Sequence, residues 1–476
     1  MVAEAPASNI RTLVRNDRTQ PDSAAVAHLV VGTGFLAVGA VAAAAALVSL
    51  SFPSFVPLGY GVLRAMTMLA LVIGFATVSV TGGAYYVLPR LTGSRLSSET
   101  LAWAGLVMLA GTAAIGIIAV GVGLGDGGEP FALPWWLDLP LLGGLAVPPL
   151  VAVTTLRHRT EHRTYVTIPY VVTGLSALPL VYAIGNIPGT NAVSSALGDA
   201  FSASAYLILV CLVALGLLHY AAVKHNEGAL AGRQLAQVGY WSLLFGAGWF
   251  GVAQLTTGPT PDWLGVVSAV LGLGFPVGVA AVLATLTSTL EGSWRDSEGV
   301  SPVVMTAIAG ALLALVIAVL ASMAGFRATA TLVAYTPFWE AIVFGLVLGV
   351  FPLLIGAWVF HALPRMTGRR LFSRQLARRT VRLIVIGTGG TVLLLAASGL
   401  VTGYTWAGGS FTGAFAAAGE GWAEAAGPGS TFLGLASATG LIAAFGMLSM
   451  VSLLARTMTR GAATTQEVLV AVQEES

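Results

Sequence analysis

The chain has 476 residues, of which 56% are hydrophobic and only 9% charged. A soluble domain carries roughly 25% charged residues, so a water-soluble globular fold is excluded, and apolar runs of more than about 18 residues recurring along the length identify a polytopic membrane protein. A net charge of +2 gives no electrostatic reason for a nucleic-acid partner, and the single cysteine, Cys211, excludes an internal disulfide or a cysteine-ligated metal cluster.

Residues 1–26 form a polar tail with Arg11, Arg15, Asp17, Arg18 and Asp22, and lack the short apolar core of a cleaved signal peptide. Twelve apolar runs follow, at 27–51, 58–88, 101–124, 134–156, 166–187, 199–223, 234–256, 263–289, 302–325, 337–363, 380–403 and 430–455. Each is long enough to cross a bilayer core of roughly 30 Å. Lipid offers the backbone no partners, so runs of this length are predicted to be helices. The expected architecture is an all-α membrane domain over 27–456, between cytoplasmic tails 1–26 and 457–476. Pro148, Pro149 and Pro276 are expected to kink their helices. Gly345-Leu346-Val347-Leu348-Gly349 is expected to allow close helix packing.

Charge orients the bundle. All but two of the 22 Lys and Arg residues lie in the tails or in loops after even-numbered runs; the two are Arg64, inside the second run, and Arg327. The positive-inside rule then puts both termini in the cytoplasm of a plasma membrane. The opposite loops are acidic or neutral, as in Gly125-Asp126-Gly127-Gly128-Glu129-Pro130. The longest of them, about 404–429, carries Glu420 and Glu424. Trp135, Trp136, Trp263, Phe338 and Trp339 sit at run ends, as an interfacial belt does.

One helix exit recurs. Tyr85-Tyr86-Val87-Leu88-Pro89-Arg90-Leu91-Thr92-Gly93-Ser94-Arg95-Leu96-Ser97-Ser98 closes the second run, and Phe360-His361-Ala362-Leu363-Pro364-Arg365-Met366-Thr367-Gly368-Arg369-Arg370-Leu371-Phe372-Ser373 closes the tenth. A worn copy, His219-Tyr220-Ala221-Ala222-Val223-Lys224-His225, closes the sixth. Near-constant spacing means one unit used three times, hence three groups of four helices.

This arrangement resembles subunit I of the haem-copper oxidase superfamily, especially its C-type cytochrome oxidase and nitric oxide reductase branches. The likeness covers about residues 30–410. Besides the exits it rests on three stretches. The basic run Arg157-His158-Arg159-Thr160-Glu161-His162-Arg163-Thr164-Tyr165-Val166-Thr167-Ile168 stands before the fifth helix. Asp199-Ala200-Phe201 begins the sixth, and Pro261-Asp262-Trp263 turns into the eighth. The resemblance implies six histidine ligands on the second, sixth, seventh and tenth helices, holding two haems and a copper or iron. Here those positions fall on Thr67 in the second helix, Ala253 and Gln254 in the seventh, and Ile342 and Phe344 in the tenth. The sixth has no histidine before His219. The tyrosine that C-type enzymes use beside copper falls near Ala247. Iron and copper need nitrogen donors, so no haem, copper or iron is expected, and no catalytic, cofactor-binding or metal residue is assigned.

Six histidines remain. His158, His162 and His225 lie in basic loops, His28 stands where the first run begins, and His219 and His361 lie at helix ends. The last two are expected to be interfacial polar tips; a shifted haem site on them would lie about 30 Å from the expected metal level. Met66 and Met68 are expected to fill packing gaps rather than act as thioether ligands. Arg64 and Glu340 are each expected to snorkel near a run end, with an anion or partner contact for Arg64 and a proton relay through Glu340 as alternatives. Thr285, Thr287, Ser288 and Thr289 form the densest polar cluster, which back-bonding to the helix explains.

The functional expectation is a non-catalytic relative of oxidase subunit I. It would lie in the lipid bilayer as an assembly or structural partner of a membrane or periplasmic redox protein in a respiratory complex, or as a carrier of a small apolar ligand, with the former haem pockets collapsed or holding lipid or quinone. The alternatives are a working oxidase or nitric oxide reductase with unusual haem ligation, and a transporter, which the near absence of intramembrane charge disfavours. Low Lys with abundant Ala, Gly, Val and Arg points to a GC-rich prokaryotic genome.

Overall fold

In a computed structural model of the chain, residues 22–128, 131–161, 163–187, 189–255, 257–258, 260–296, 299–407 and 422–462 are described. The tails 1–21 and 463–476, His162, the Glu129-Pro130 pair and most of the long loop with Glu420 lie outside them. The long apolar runs are helices: α1 (Ser23–Ser51), α2 (Tyr60–Thr92), α3 (Glu99–Gly121), α4 (Trp135–Arg157), α5 (Thr167–Gly185), α6 (Ala192–Asn226). After the interrupted α7 (Arg233–Gly246 and Trp249–Ala253) come α8 (Asp262–Thr289), α9 (Pro302–Ala324), α10 (Phe338–Thr367), α11 (Arg374–Trp406) and α12 (Ser430–Arg460). Eleven helices among the described residues are long and apolar enough to cross a membrane.

The seventh run differs from expectation. Gly248 has φ +90° and Ala247 is extended, so α7 breaks there instead of spanning 234–256 as one helix. The Gly248 carbonyl, which accepts from the Val252 amide to start the second segment, also accepts a hydrogen bond from Ser204 Oγ at 2.6 Å. A turn at Leu273 likewise interrupts α8, and Ser322 Oγ donates to the Gly272 carbonyl at 3.0 Å. Glycine is needed where α7 and α8 cross: a Cβ on Gly246 would lie 2.9 Å from the Gly274 backbone.

Burial sorts the helices. The most apolar windows of α2, α6 and α10 are 78%, 89% and 94% buried, against 39–50% for the rest. Helices that are apolar all round belong inside other helices, and these three are the ones the repeated exit closes. Peripheral helices present exposed side chains such as Val107, Ile118 and Leu393, which suit lipid. Two central helices loosen into π-helical stretches, Leu69–Thr77 in α2 and Leu346–Val350 in α10. Aligning Tyr86 with His361 places the first stretch on residues 344–352, so the irregularity repeats as well.

The exit is a physical unit. Gly93 and Gly368, at φ +67° and +62°, end α2 and α10 in the left-handed conformation glycine favours. Five residues later Ser98 and Ser373 cap α3 and α11, accepting from the Leu101 and Leu376 amides at 3.1 and 3.2 Å. At this basic end the three equivalent residues Tyr86, Tyr220 and His361 gather around Trp358, with ring centroids 5.7, 6.2 and 6.2 Å from it. Trp358 is fully buried. The Gly345–Gly349 pair packs closely, as expected: an added Cβ would come 2.3 Å from Ile317 and 2.3 Å from Leu313 on α9. Thr285, Thr287 and Thr289 donate to the carbonyls of Ala281, Leu283 and Thr285 within α8.

Candidate functional site

Four of the five positions to which the resemblance assigns metal ligands, Thr67, Ala253, Ile342 and Phe344, are engaged in packing. Thr67 is 1% exposed and its hydroxyl donates to the Leu63 carbonyl at 2.7 Å, inside its own helix. Ala253, Ile342 and Phe344 are buried and carry no donor atom. The helices also close on one another near this level. An added Cβ on Gly74 of α2 would meet the Phe35 ring of α1 at 2.3 Å, and one on Gly39 would meet Leu71 at 2.2 Å. Among the described residues, no group of three or more His, Cys, Asp or Glu could hold a metal ion.

His219 and His361 are not the interfacial tips their place in the sequence suggests, and His28 is buried with them. His28, His219 and His361 are 0%, 1% and 1% exposed. They sit at the ends of their helices, but the neighbouring helices and exits cover them. His28 Nδ1 lies 2.7 Å from the Ala24 carbonyl, which can only accept, so that nitrogen carries the proton. Its ring meets Tyr85 edge-on at 5.2 Å. In the next repeat His219, equivalent to Tyr85, meets Tyr170 edge-on at 5.0 Å. His361 Nδ1 lies 3.1 Å from Arg365 Nη1, which can only donate, so Nδ1 is bare and Nε2 holds the proton. Aromatic rings surround these imidazoles.

The opposite end of the bundle holds the space. A vestibule of about 870 Å³ lies over α2 and α10, with Tyr60, Val120, Tyr335 and the loop at Gly123–Gly128 in its walls. Beneath it, a chamber of about 300 Å³ lies between α2, α6, α7 and α10. Five residues, Arg64, Gln254, Leu255, Trp339 and Glu340, line both and so form the partition. Arg64 and Glu340 do not snorkel separately. Arg64 Nε donates to Glu340 Oε2 at 3.2 Å and lies 3.0 Å from Oε1, with the side chains 20% and 21% exposed. Each charge thus lessens the cost of the other. Of the sequence-assigned positions only Gln254 faces this space. The repeat register held the signal for the pairing, since aligning Tyr86 with His361 sets Arg64 opposite Trp339, one residue from Glu340.

Comparisons with known proteins agree with this architecture. The family model described as Cytochrome C and Quinol oxidase polypeptide I matches residues 23–426. A solved structure reported as a heme-copper terminal oxidase dimer superposes with a TM-score of 0.76, covering 93% of this chain and 85% of that one at 15% identity. A search of curated proteins finds no match.

Proposed function

Because this chain belongs to the cytochrome c and quinol oxidase polypeptide I family, we propose that it keeps the family's scaffold without its metal centres and serves as a non-catalytic membrane subunit of a respiratory redox complex. The observation that carries this reading is the set Thr67, Ala253, Gln254, Ile342 and Phe344 at the implied ligand positions. Haem iron and copper there require imidazole nitrogen. One of these residues spends its hydroxyl on its own helix, three have no donor, and a neutral carboxamide is a poor substitute for imidazole. The residues present do not fit the cofactors, so no redox step is assigned to this chain. A scaffold without redox centres still offers a large lipid-embedded surface and loops at both ends, which suit assembly with a membrane or periplasmic redox protein.

The competing reading, an active oxidase with shifted haem ligation, would use His219 and His361. Tyr170 lies 5.0 Å from the first, and Trp358 and Tyr220 lie 6.2 and 6.3 Å from the second, where a porphyrin would have to enter. The test is the reduced-minus-oxidised absorption spectrum of the full chain purified from its native membranes, with iron and copper analysis. We expect no haem band and far less than one metal atom per chain. One haem per chain would sink the proposal, and His219→Ala and His361→Ala would then locate the ligand. The assembly role is tested by isolation in mild detergent: a redox protein should co-purify, and recovery of this chain alone would remove that role.

A further inference from the structure

The loops at the basic end are not alike. Four of them interleave bases with acids: Glu99 follows Arg95, Glu161 stands between Arg159 and Arg163, Glu227 follows Lys224, and Asp296 follows Arg295. The fifth, from Arg365 to Arg382, holds seven arginines and no Asp or Glu. Topology asks only for an excess of Lys and Arg on one side, which the mixed loops already supply. The surplus runs on into α11. Arg379 and Arg382 are exposed, and they continue the helix stripe on which Ile386, Leu393 and Leu400 are exposed. Those apolar side chains face lipid, so the two arginines stand at its edge. Tyr404 lies on the same stripe, 22 residues beyond Arg382. At 1.5 Å per residue that is about 33 Å, close to the thickness of a hydrocarbon core. With Tyr404 at one interface, where tyrosine is favoured, Arg382 is at headgroup depth on the other.

Helix α12 brings a third arginine to this place. It packs antiparallel to α11, so closely that an added Cβ on Gly387 would lie 2.3 Å from the Ala443 backbone, and one on Gly446 would lie 2.9 Å from that of Ile384. This register sets Arg379 level with Val451, five residues from Arg456 and so about 7.5 Å from it along the axis. The Arg456 guanidinium lies 5.8 Å from the Phe372 ring, just before α11 begins. Among the described residues, Arg379, Arg382 and Arg456 have no carboxylate partner. Toward the middle of the membrane α12 exposes Phe445 and Leu441 beside the stripe of α11. Guanidinium forks onto phosphate oxygens, and basic clusters at the end of membrane helices attract anionic lipid.

We propose that Arg379, Arg382 and Arg456 form a binding site for an anionic phospholipid on the lipid-facing surface of α11 and α12. The phosphate accepts from the three guanidiniums, and the acyl chains lie along Ile386 and Leu393 on one helix and Phe445 and Leu441 on the other. Phosphatidylcholine also brings a phosphate, but its trimethylammonium group cancels the charge, so the site discriminates between headgroups. It lies on the rim of the bundle and does not depend on the haem-free reading.

The full chain is reconstituted in nanodiscs of equal parts phosphatidylglycerol and phosphatidylcholine with matched acyl chains. Lipids still bound after transfer to a mild detergent are identified by native mass spectrometry. Phosphatidylglycerol should be retained in preference to phosphatidylcholine by about tenfold. The preference should vanish when Arg379→Gln, Arg382→Gln and Arg456→Gln are combined. It should persist in Arg159→Gln with Arg163→Gln, which removes charge from a mixed loop at the same end. Equal retention of both lipids by the wild-type chain overturns the proposal, and that comparison decides alone if the triple variant does not fold. An equal loss in the two variants overturns it as well, because it would show diffuse attraction by the whole basic end. Thermal melting separates lipid from a soluble anion: phosphatidylglycerol added to phosphatidylcholine nanodiscs should raise Tm, and inorganic phosphate should not. Equal protection by phosphate would replace the lipid site with a soluble-anion site.

Discussion

Arg64 and Glu340 show how much of a residue's role is set by its partner. Either charge alone, about a turn inside an apolar helix, is costly and has to find water or a counter-ion. Together they close the partition between vestibule and chamber at 3.0 Å. Breaking one side strands the other charge where it is only one-fifth exposed. Arg64→Leu or Glu340→Leu should therefore destabilise the chain by about 1–3 kcal/mol, less than for a fully buried pair because water still screens it. The double variant should recover much of that loss, since removing both partners leaves no stranded charge. Thermal melting of the four proteins in one detergent gives the coupling, and a double variant no more stable than the worse single would show that the pair is incidental. The sequence displayed both charges plainly but not their meeting, because a contact between helices α2 and α10 has no local signature. It misplaced His219 and His361 for a related reason. A helix end is wet only if the helix is peripheral, and these two ends belong to central helices.

At the scale of elements, the repeated exit was legible because it is built from residues with strict local jobs. Gly93 and Gly368 take a positive φ, and Ser98 and Ser373 cap the next helix. Helix type was legible from run length, and eleven of the twelve runs are helices long and apolar enough to cross a membrane among the described residues, the seventh being interrupted. The π-helical stretches of α2 and α10 were not legible: a helix buried on all sides has no polar face, so apolar sequence carries no phase in which an irregularity can be read. The break at Gly248 was hidden because glycine also stands inside unbroken helices, as Gly32 does in α1. The meeting of α2, α6 and α10 is the element-level consequence of the repeat. At Gly83 the three come so close that an added Cβ would lie 2.4 Å from Leu217 and 2.8 Å from Trp358 Nε1. Trp358, enclosed by Tyr86, Tyr220 and His361, should therefore be the most costly single truncation at the basic end. Trp358→Ala is expected to lose about 3–5 kcal/mol through lost burial and an unfilled cavity, seen as a large drop in Tm. Trp136→Ala, at a site 44% exposed, should change stability by about 0.5 kcal/mol or less. Equal losses would mean that the axis is not where the three repeats are held together.

For the whole molecule, the decisive quantity is the separation of charge between its two ends. The structure brings both described chain ends to the end that carries the repeated exits. Asp22 accepts two hydrogen bonds from Arg90, at 2.8 and 2.7 Å, and Arg369 donates to the carbonyls of Thr459 and Gly461. The opposite end carries the acidic loop with Asp126 and the vestibule. Basic loops resist translocation, so we propose that the basic end is cytoplasmic and that the vestibule opens outward. Cys211 is fully buried, which leaves a silent background for cysteine labelling. Arg95 and Asp126 both lie in exposed loops, at opposite ends. With a membrane-impermeant maleimide on intact cells, Asp126→Cys should react at once, and Arg95→Cys only after permeabilisation. The reverse pattern would turn the molecule over, placing both described chain ends outside and the Arg64–Glu340 partition toward the cytoplasm.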